Sequence, residues 1–403
     1  MPVISKDRLQ ITINLRKNVF FHDGTAFNSN AMKFTFDRFK RIGTMNYILG
    51  NKIKSIETPS EYSVIINLNK PSSSLNGLLT SVNLTPISPT FYKQYSDKFL
   101  NEKFVGTGKY VLTSFSNEVQ SIDPYLNYWG EKPLNNGVNF VGYSNSSSLF
   151  GALKSKQIDV LLSNSIDDSQ RKSLNDLSKN KQFNEGNSPF TELSFISLKT
   201  SSYPLNNLNL RMALAKSLNR KLISEKVSYG LRKPSRSIIP PILKKDNQEL
   251  WPKYNYLEAR RLLQKENYCN GNILKIPLTY RSNVPADKLI ALTWQEEIKN
   301  SLKDCIDIEL NGVESTTVYK NLSLGIYTAV LLDWTGAYSD PEAYLTPLLS
   351  CNEIVDGICK KGESVYSGSF WGSNKVESLF LESEKISGIK RLEKLVEIEK
   401  IAA

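Results

Sequence analysis

The chain has 403 residues, 40% hydrophobic and 23% charged, and its 51 Lys and Arg against 40 Asp and Glu leave a formal net charge of +11. That composition excludes collagen-like and fully disordered chains, and at roughly 150 residues per domain the length suggests two or three domains. A single histidine, His22, cannot build a His-rich metal site or a His-based triad, four cysteines exclude a dense disulfide scaffold, and no apolar run of about 18 residues offers a membrane span.

Leu9, Ile11, Ile13 and Leu15 alternate with Gln10, Thr12 and Asn14, the period of a half-buried strand. Asp23-Gly24 then supplies a tight turn, and Asn28-Ser29-Asn30 offers the N-cap of a helix with Met32, Phe36 and Phe39 on one face. Val64, Ile66 and Leu68 predict another strand, ended by Lys70-Pro71, and the Ser/Asn/Gly-rich stretch 71–84 predicts a surface loop. Gly106-Thr107-Gly108-Lys109-Tyr110 is a glycine turn entering a strand. Its glycines are too close together for a phosphate loop. Residues 125–133 form an aromatic-rich turn, and Val138, Phe140 and Tyr143 open a strand. A helix over 149–156 and a buried strand over 158–162 give the strand–helix–strand order of an α/β sheet.

Leu193, Phe195 and Ile196 start a new strand. Leu210, Leu214, Leu218 and Leu222, with Ala213 beside them and Arg211, Lys216, Arg220 and Lys221 off the stripe, predict one amphipathic helix. Gly230, Pro234, Pro240 and Pro241 mark 228–241 as a loop. Asn255 and Glu258 make a capping pair, and Pro285 suits the first turn of a helix whose ridge is Ile290, Trp294, Ile298 and Leu302. Ile306, Ile308 and Leu310 alternate as a strand, and Ala329 to Leu332 is a short apolar run of the buried-strand kind. Residues 1–7 lack the regions of a secretion signal, which taken literally places the chain in the cytoplasm. Residues 395–403 read as an amphipathic helix without a C-cap, and both ends are expected to be incomplete.

Catalytic groups are hard to find. There is no Gly-x-Ser-x-Gly elbow and no Ser-x-x-Lys pattern, and the adjacent carboxylates Asp167-Asp168 and Glu296-Glu297 diverge, so they are expected on the surface. Cys269, Cys305, Cys351 and Cys359 are either reduced and buried or joined in one of three pairings. The favoured pairs are Cys351–Cys359, which closes a short loop carrying Gly357, and Cys269–Cys305, and they imply an oxidising compartment. Their spacing fits no zinc motif. Acidic residues are spread among the basic ones, so the positive charge reads as a solvated surface rather than a nucleic-acid patch. No catalytic residue, metal or cofactor is expected.

Six segments together resemble the family 5 extracytoplasmic solute-binding proteins, the dipeptide- and oligopeptide-binding components of ABC importers. Residues 15–25, through Phe20-Phe21-His22-Asp23-Gly24-Thr25, resemble the family's signature. Gly106 to Tyr110 is similar to its Gly-Thr-Gly-x-Tyr strand, Asn127-Tyr128-Trp129-Gly130 to its Tyr-Trp-Gly turn, and Leu153 to Asp159 to its helix-to-strand passage. Leu210 to Arg220 resembles its Arg-x-Ala-rich helix, and Trp334 to Pro341 its Trp loop ending in Asp-Pro. The matches stand in family order and cover nearly the whole chain.

The resemblance implies an α/β fold of two lobes, periplasmic-binding-protein-like of class II, with an extra subdomain on lobe I. Lobe I would span 1–190, incomplete, with the extra subdomain over about 1–105. Lobe II would span 191–403 and lack the return to lobe I. It implies a monomer that captures a peptide or related small solute between its lobes and delivers it to a permease and its ATPase, with no nucleic-acid partner. It also implies a place in the periplasm or on a membrane anchor at the extracytoplasmic face. The implied ligand-binding residues are Trp334, Thr335, Gly336, Ala337, Tyr338, Asp340 and Trp371; the signatures at 22–24 and 106–110 are structural. Peptide-binding relatives hold the ligand's α-ammonium with an Asp where this chain has Ala337, so a sugar, an opine or a metal complex is the alternative cargo within the family. The alternatives from other classes are a secreted hydrolase and a basic nucleic-acid-binding protein.

Overall fold

The computed structural model describes residues 2–43, 52–95, 100, 102–162, 165–244 and 249–403. Two compact units result: Met1–Asn145 with Glu384–Ile386, and Ser146–Ser383 with Ser387–Ala403.

The first unit contains an antiparallel sheet in the order β1-β2-β4-β3, from β1 (Val3–Ile4), β2 (Gln10–Asn14), β3 (Ile53–Ser60) and β4 (Ser63–Leu68). The alternation sends Ile11, Val64, Ile66 and Leu68 inward, where they are buried. The helix Ser29–Ile42 packs on β3 and β4 and begins as its sequence predicts, with the Asn28 side chain accepting the Ala31 N–H at 3.0 Å. Residues 71–84 are not a surface loop. They form the short helix Leu75–Leu78 and a 3-10 turn at Val82–Leu84, and Leu75, Leu78 and Leu84 are buried. The polar composition misled because Ser72 and Ser74 are buried and the half-buried Ser73 is held by partners. Ser73 donates its N–H to Glu384 at 2.5 Å, and the Ser74 hydroxyl donates to the same carboxylate at 3.1 Å.

A second sheet of this unit, β5-β6-β7, is an antiparallel meander of β5 (Tyr110–Phe115), β6 (Val119–Pro124) and β7 (Val138–Val141). Three motifs distant in sequence meet beside it. Tyr125 Oη donates to the Phe21 carbonyl at 2.9 Å, the His22 backbone N–H donates to Gly106 and its Nε2 to Gly108, both at 2.9 Å, and Trp129 Nε1 donates to Thr107 at 3.0 Å. The Arg16 guanidinium lies 4.5 Å from the centre of the Trp129 ring.

The second unit is built on a four-stranded sheet in the order β10-β9-β11-β8, from β8 (Glu192–Leu198), β9 (Leu274–Arg281), β10 (Ile306–Val313) and β11 (Ala329–Thr335). β9, β10 and β11 are parallel and β8 is antiparallel to β11. Its main core sets Trp294 and Ile298 of the helix Pro285–Ser301, and Leu262 and Leu263 of the helix Tyr256–Lys265, against Ile276, Leu278 and Ile308 of the sheet. Of the expected capping pair, Asn255 does its part by accepting the Glu258 N–H at 3.0 Å, but the Glu258 carboxylate pairs with Arg261 instead of reaching back to the cap.

Three expectations for this unit are corrected. The leucine stripe is two helices, Leu208–Ser217 and Arg220–Ser228, because Leu218 is extended and the Asn219 side chain takes the Leu222 N–H as a new N-cap. Residues 158–162 form no strand: Val160 is 77% and Leu162 70% exposed, so this apolar run has no sheet to enter among the described residues. Asp168 is buried rather than a surface group, because Arg171 and Arg232 both reach its carboxylate, at 3.1 and 3.0 Å. The favoured cysteine pairs are those present. Cys269–Cys305 joins the segments entering β9 and β10, and Cys351–Cys359 staples the hairpin of β12 (Glu353–Val355) and β13 (Ile358–Lys361).

Candidate functional site

Most of the residues expected at the site lie on the loop that leaves β11 at the carboxyl ends of the parallel strands of the second unit. In open α/β sheets that edge is where the loops leave the ladder and ligands bind. β11 carries Ala329 to Leu332 fully buried, then surfaces at Asp333, Trp334 and Thr335, and the chain turns through 336–341 into the helix Glu342–Leu349.

Gly336 is at the turn because nothing larger fits. A Cβ there would stand 2.6 Å from Cε2 of Tyr344, whose ring is buried and whose hydroxyl donates to the Thr191 carbonyl at 2.7 Å. Burial pushes the Tyr344 phenol above its ordinary pKa. Trp334 is half-buried against the cluster that contains Leu345, Leu348 and Val376, and its Nε1 donates to the Ala343 carbonyl at 2.8 Å. Trp371 packs against the same cluster, and its carbonyl accepts from the Ser364 hydroxyl at 2.7 Å. Thr335 is exposed, and Ala337 and Tyr338 are half-buried in the loop.

Asp340 faces inward to an ion-pair lattice. Its two carboxylate oxygens accept from Arg391 at 2.8 and 3.0 Å, and one of them also takes the Glu342 N–H at 2.9 Å. The buried Arg391 reaches the buried Glu342 carboxylate as well, at 3.0 Å. The loop's polar end is thereby tied to the helix Gly388–Ala402.

A second charged cluster at this edge escaped the sequence reading. Arg281, the last residue of β9, donates from Nε and Nη2 to Asp287 at 2.7 and 3.1 Å, from Nη2 to Asp333 at 2.8 Å, and from Nη1 to the Tyr319 hydroxyl at 2.8 Å. Tyr319 in turn donates to Asp333 at 3.3 Å. Burial works against the Arg281 charge, but its hydrogen bonds to Asp287 and Asp333 outweigh that, so its pKa is raised. Burial also pushes the Asp287 carboxyl upward, opposed by Arg281. The available signal was a charged residue at or near the carboxyl end of each of two strands, Arg281 closing β9 and Asp333 following the apolar run of β11. At the end of β10, Glu314 caps the helix Ser315–Asn321 by accepting the Thr316 N–H at 2.8 Å. Among the described residues no group of three or more His, Cys, Asp or Glu is placed to hold a metal ion, and no helix is long and apolar enough to cross a membrane.

A profile of the bacterial extracellular solute-binding proteins, family 5 Middle, matches residues 2–356. The chain is 26% identical over 391 residues to heme-binding protein A of Haemophilus influenzae, covering 87% of this chain and 68% of that protein. It is 25% identical over 388 residues to the glutathione-binding protein GsiB of Escherichia coli, covering 95% of this chain and 73% of the relative. Among solved structures, a Pseudoalteromonas dipeptide-binding protein in complex with Met-Leu superposes with a TM-score of 0.80 at 20% identity, covering 100% of this chain and 82% of that one. NikA from Brucella suis in complex with Fe(III)-EDTA superposes with a TM-score of 0.82 at 21% identity, covering 100% and 81%. The mixed α/β fold is therefore that of the two-lobed periplasmic binding proteins, the class read from the sequence.

Proposed function

The chain belongs to the family 5 bacterial extracellular solute-binding proteins, and from that premise we propose that it captures a peptide or related small solute and hands it to the permease of an ABC importer. The family match over residues 2–356 carries this reading. Members of the family are the substrate-binding components of such importers and work outside the cytoplasm. The relatives and neighbours named above hold heme, glutathione, a dipeptide and an iron chelate, so the family frame admits a peptide and leaves room for other small solutes.

In this reading the chain acts as a monomer and performs no covalent chemistry. Binding biases a conformational equilibrium only to the extent that the solute prefers one state, and the favoured state is the one the permease accepts. The ligand-facing residues are Thr335, Gly336, Ala337 and Tyr338, with Trp334 and Trp371 as apolar walls and Asp340 bracing the loop through Arg391. One observation favours a second reading. Ala337 offers no carboxylate, so an α-ammonium has no counter-ion at that position, and a buried ammonium without one is costly. A non-peptide solute is the cargo on that reading.

The test is to purify the protein from its native compartment, denature it and identify what is released by mass spectrometry. Short peptides are the expected result. A released sugar or metal chelate overturns the peptide reading, and chemical turnover of the released solute by the refolded protein overturns the transport reading.

A further inference from the structure

We infer that Asp333 receives the positively charged end of the solute, which therefore carries an ammonium or comparable cationic group. The inference rests on the solute-binding reading above and adds a specificity-determining residue to it.

The argument starts from charge. Arg281 is already neutralised by Asp287, which meets it through two hydrogen bonds, and both side chains are enclosed, at 5% and 3% exposure. Asp333 is a second carboxylate on the same guanidinium, so the cluster holds one positive and two negative groups. The surplus charge falls on the one carboxylate that reaches the surface, since the Asp333 side chain is 34% exposed. Its Oδ2 accepts from Arg281 at 2.8 Å, while among the described residues Oδ1 accepts a 3.3 Å contact from Tyr319, which leaves it room to accept from a further donor.

Position gives the second line of support. Asp333 immediately precedes Trp334 and lies at the carboxyl edge of the parallel strands, where the loop of the candidate site leaves the sheet. The exposed Glu314 closes β10 at the same edge. In a chain of net charge +11, this edge presents carboxylates. Arg281 and Tyr319 fix the Asp333 carboxylate before a ligand arrives, which lowers the ordering cost of binding.

The test uses the full chain, stripped of bound solute, in equilibrium dialysis against a mixed tripeptide pool and the same pool N-acetylated, read by mass spectrometry. The wild type is expected to retain the free-amine pool at least about tenfold better, the scale of a charge-assisted hydrogen bond. Asp333→Asn should bring the two pools within about twofold, chiefly by lowering retention of the free-amine pool. A merely structural role for Asp333 would lower retention of both pools alike and would depress the melting temperature. If the Asn variant does not fold, Asp333→Ser reads the same ratio. Equal retention of both pools by the wild type, or an unchanged ratio in the variant, overturns the assignment of Asp333 and leaves the peptide reading standing. Retention of neither pool overturns the peptide reading, and this inference with it.

Discussion

At the scale of single residues, Gly336 and Ala337 answer different questions. Gly336 is required by packing, since a Cβ there meets the ring of Tyr344, which Thr191 holds in place. Gly336→Ala is expected to cost about 1–3 kcal/mol, seen as a lower denaturation midpoint with an unchanged slope. Ala337 is a question of charge. Ala337→Asp is expected to tighten free-amine tripeptides in calorimetry, and the gain should be larger in the Asp333→Asn background, because two carboxylates competing for one ammonium are not additive. No gain in either background would show that position 337 does not face the ammonium. The loop from Trp334 to Asp340 was legible in the sequence as a pattern of residue types. The partners of its charged groups were not, because Asp340 meets Arg391 and Asp333 meets Arg281 across long stretches of chain. Periodicity reports only neighbours within one element.

At the scale of elements, strands and helix starts were read well wherever one local force decides them. Alternation located β2 and β4, and Asn28 and Asn255 each capped the helix that follows. The reading failed where two local forces competed. The stripe through Leu222 favours one helix, but capping by Asn219 divides it, and hydrophobic periodicity carries no record of a cap. Ion pairs and buried acids now set the testable energetics. Arg391→Ala removes the cation that bridges the Asp340 and Glu342 carboxylates, and a loss of about 3–5 kcal/mol is expected in chemical denaturation. Glu377, on the helix Asn374–Ser383, accepts the Cys351 N–H at 2.7 Å, and burial pushes its pKa up to about 7. The folded state therefore keeps a proton that an unfolded glutamate releases near 4.5. The stabilisation from this group is complete below that value and is lost as pH rises through about 7. Glu377→Gln keeps an acceptor for Cys351, so melting curves of the variant should gain on the wild type between about pH 5 and pH 8. A constant difference across that range would rule the group out.

At the scale of the whole molecule, the two disulfides connect stability to compartment. They span 36 and 8 residues of sequence, and the chain-entropy argument assigns them about 4 and about 2–3 kcal/mol respectively. Replacing each pair by serine should lower stability in that order, and a reducing agent should add nothing further to the doubly substituted chain. Such bonds suit the extracytoplasmic setting of the family. The meeting of Phe21, His22, Gly108, Tyr125 and Trp129 has a separate consequence. The words by which a reader recognises this lineage are the stitches of its cloth, drawn tight by backbone carbonyls that any cargo would leave alone. On the proposed reading, choice of freight is written elsewhere, around Asp333 and Ala337, so that descendants can trade one passenger for another while keeping the same uniform.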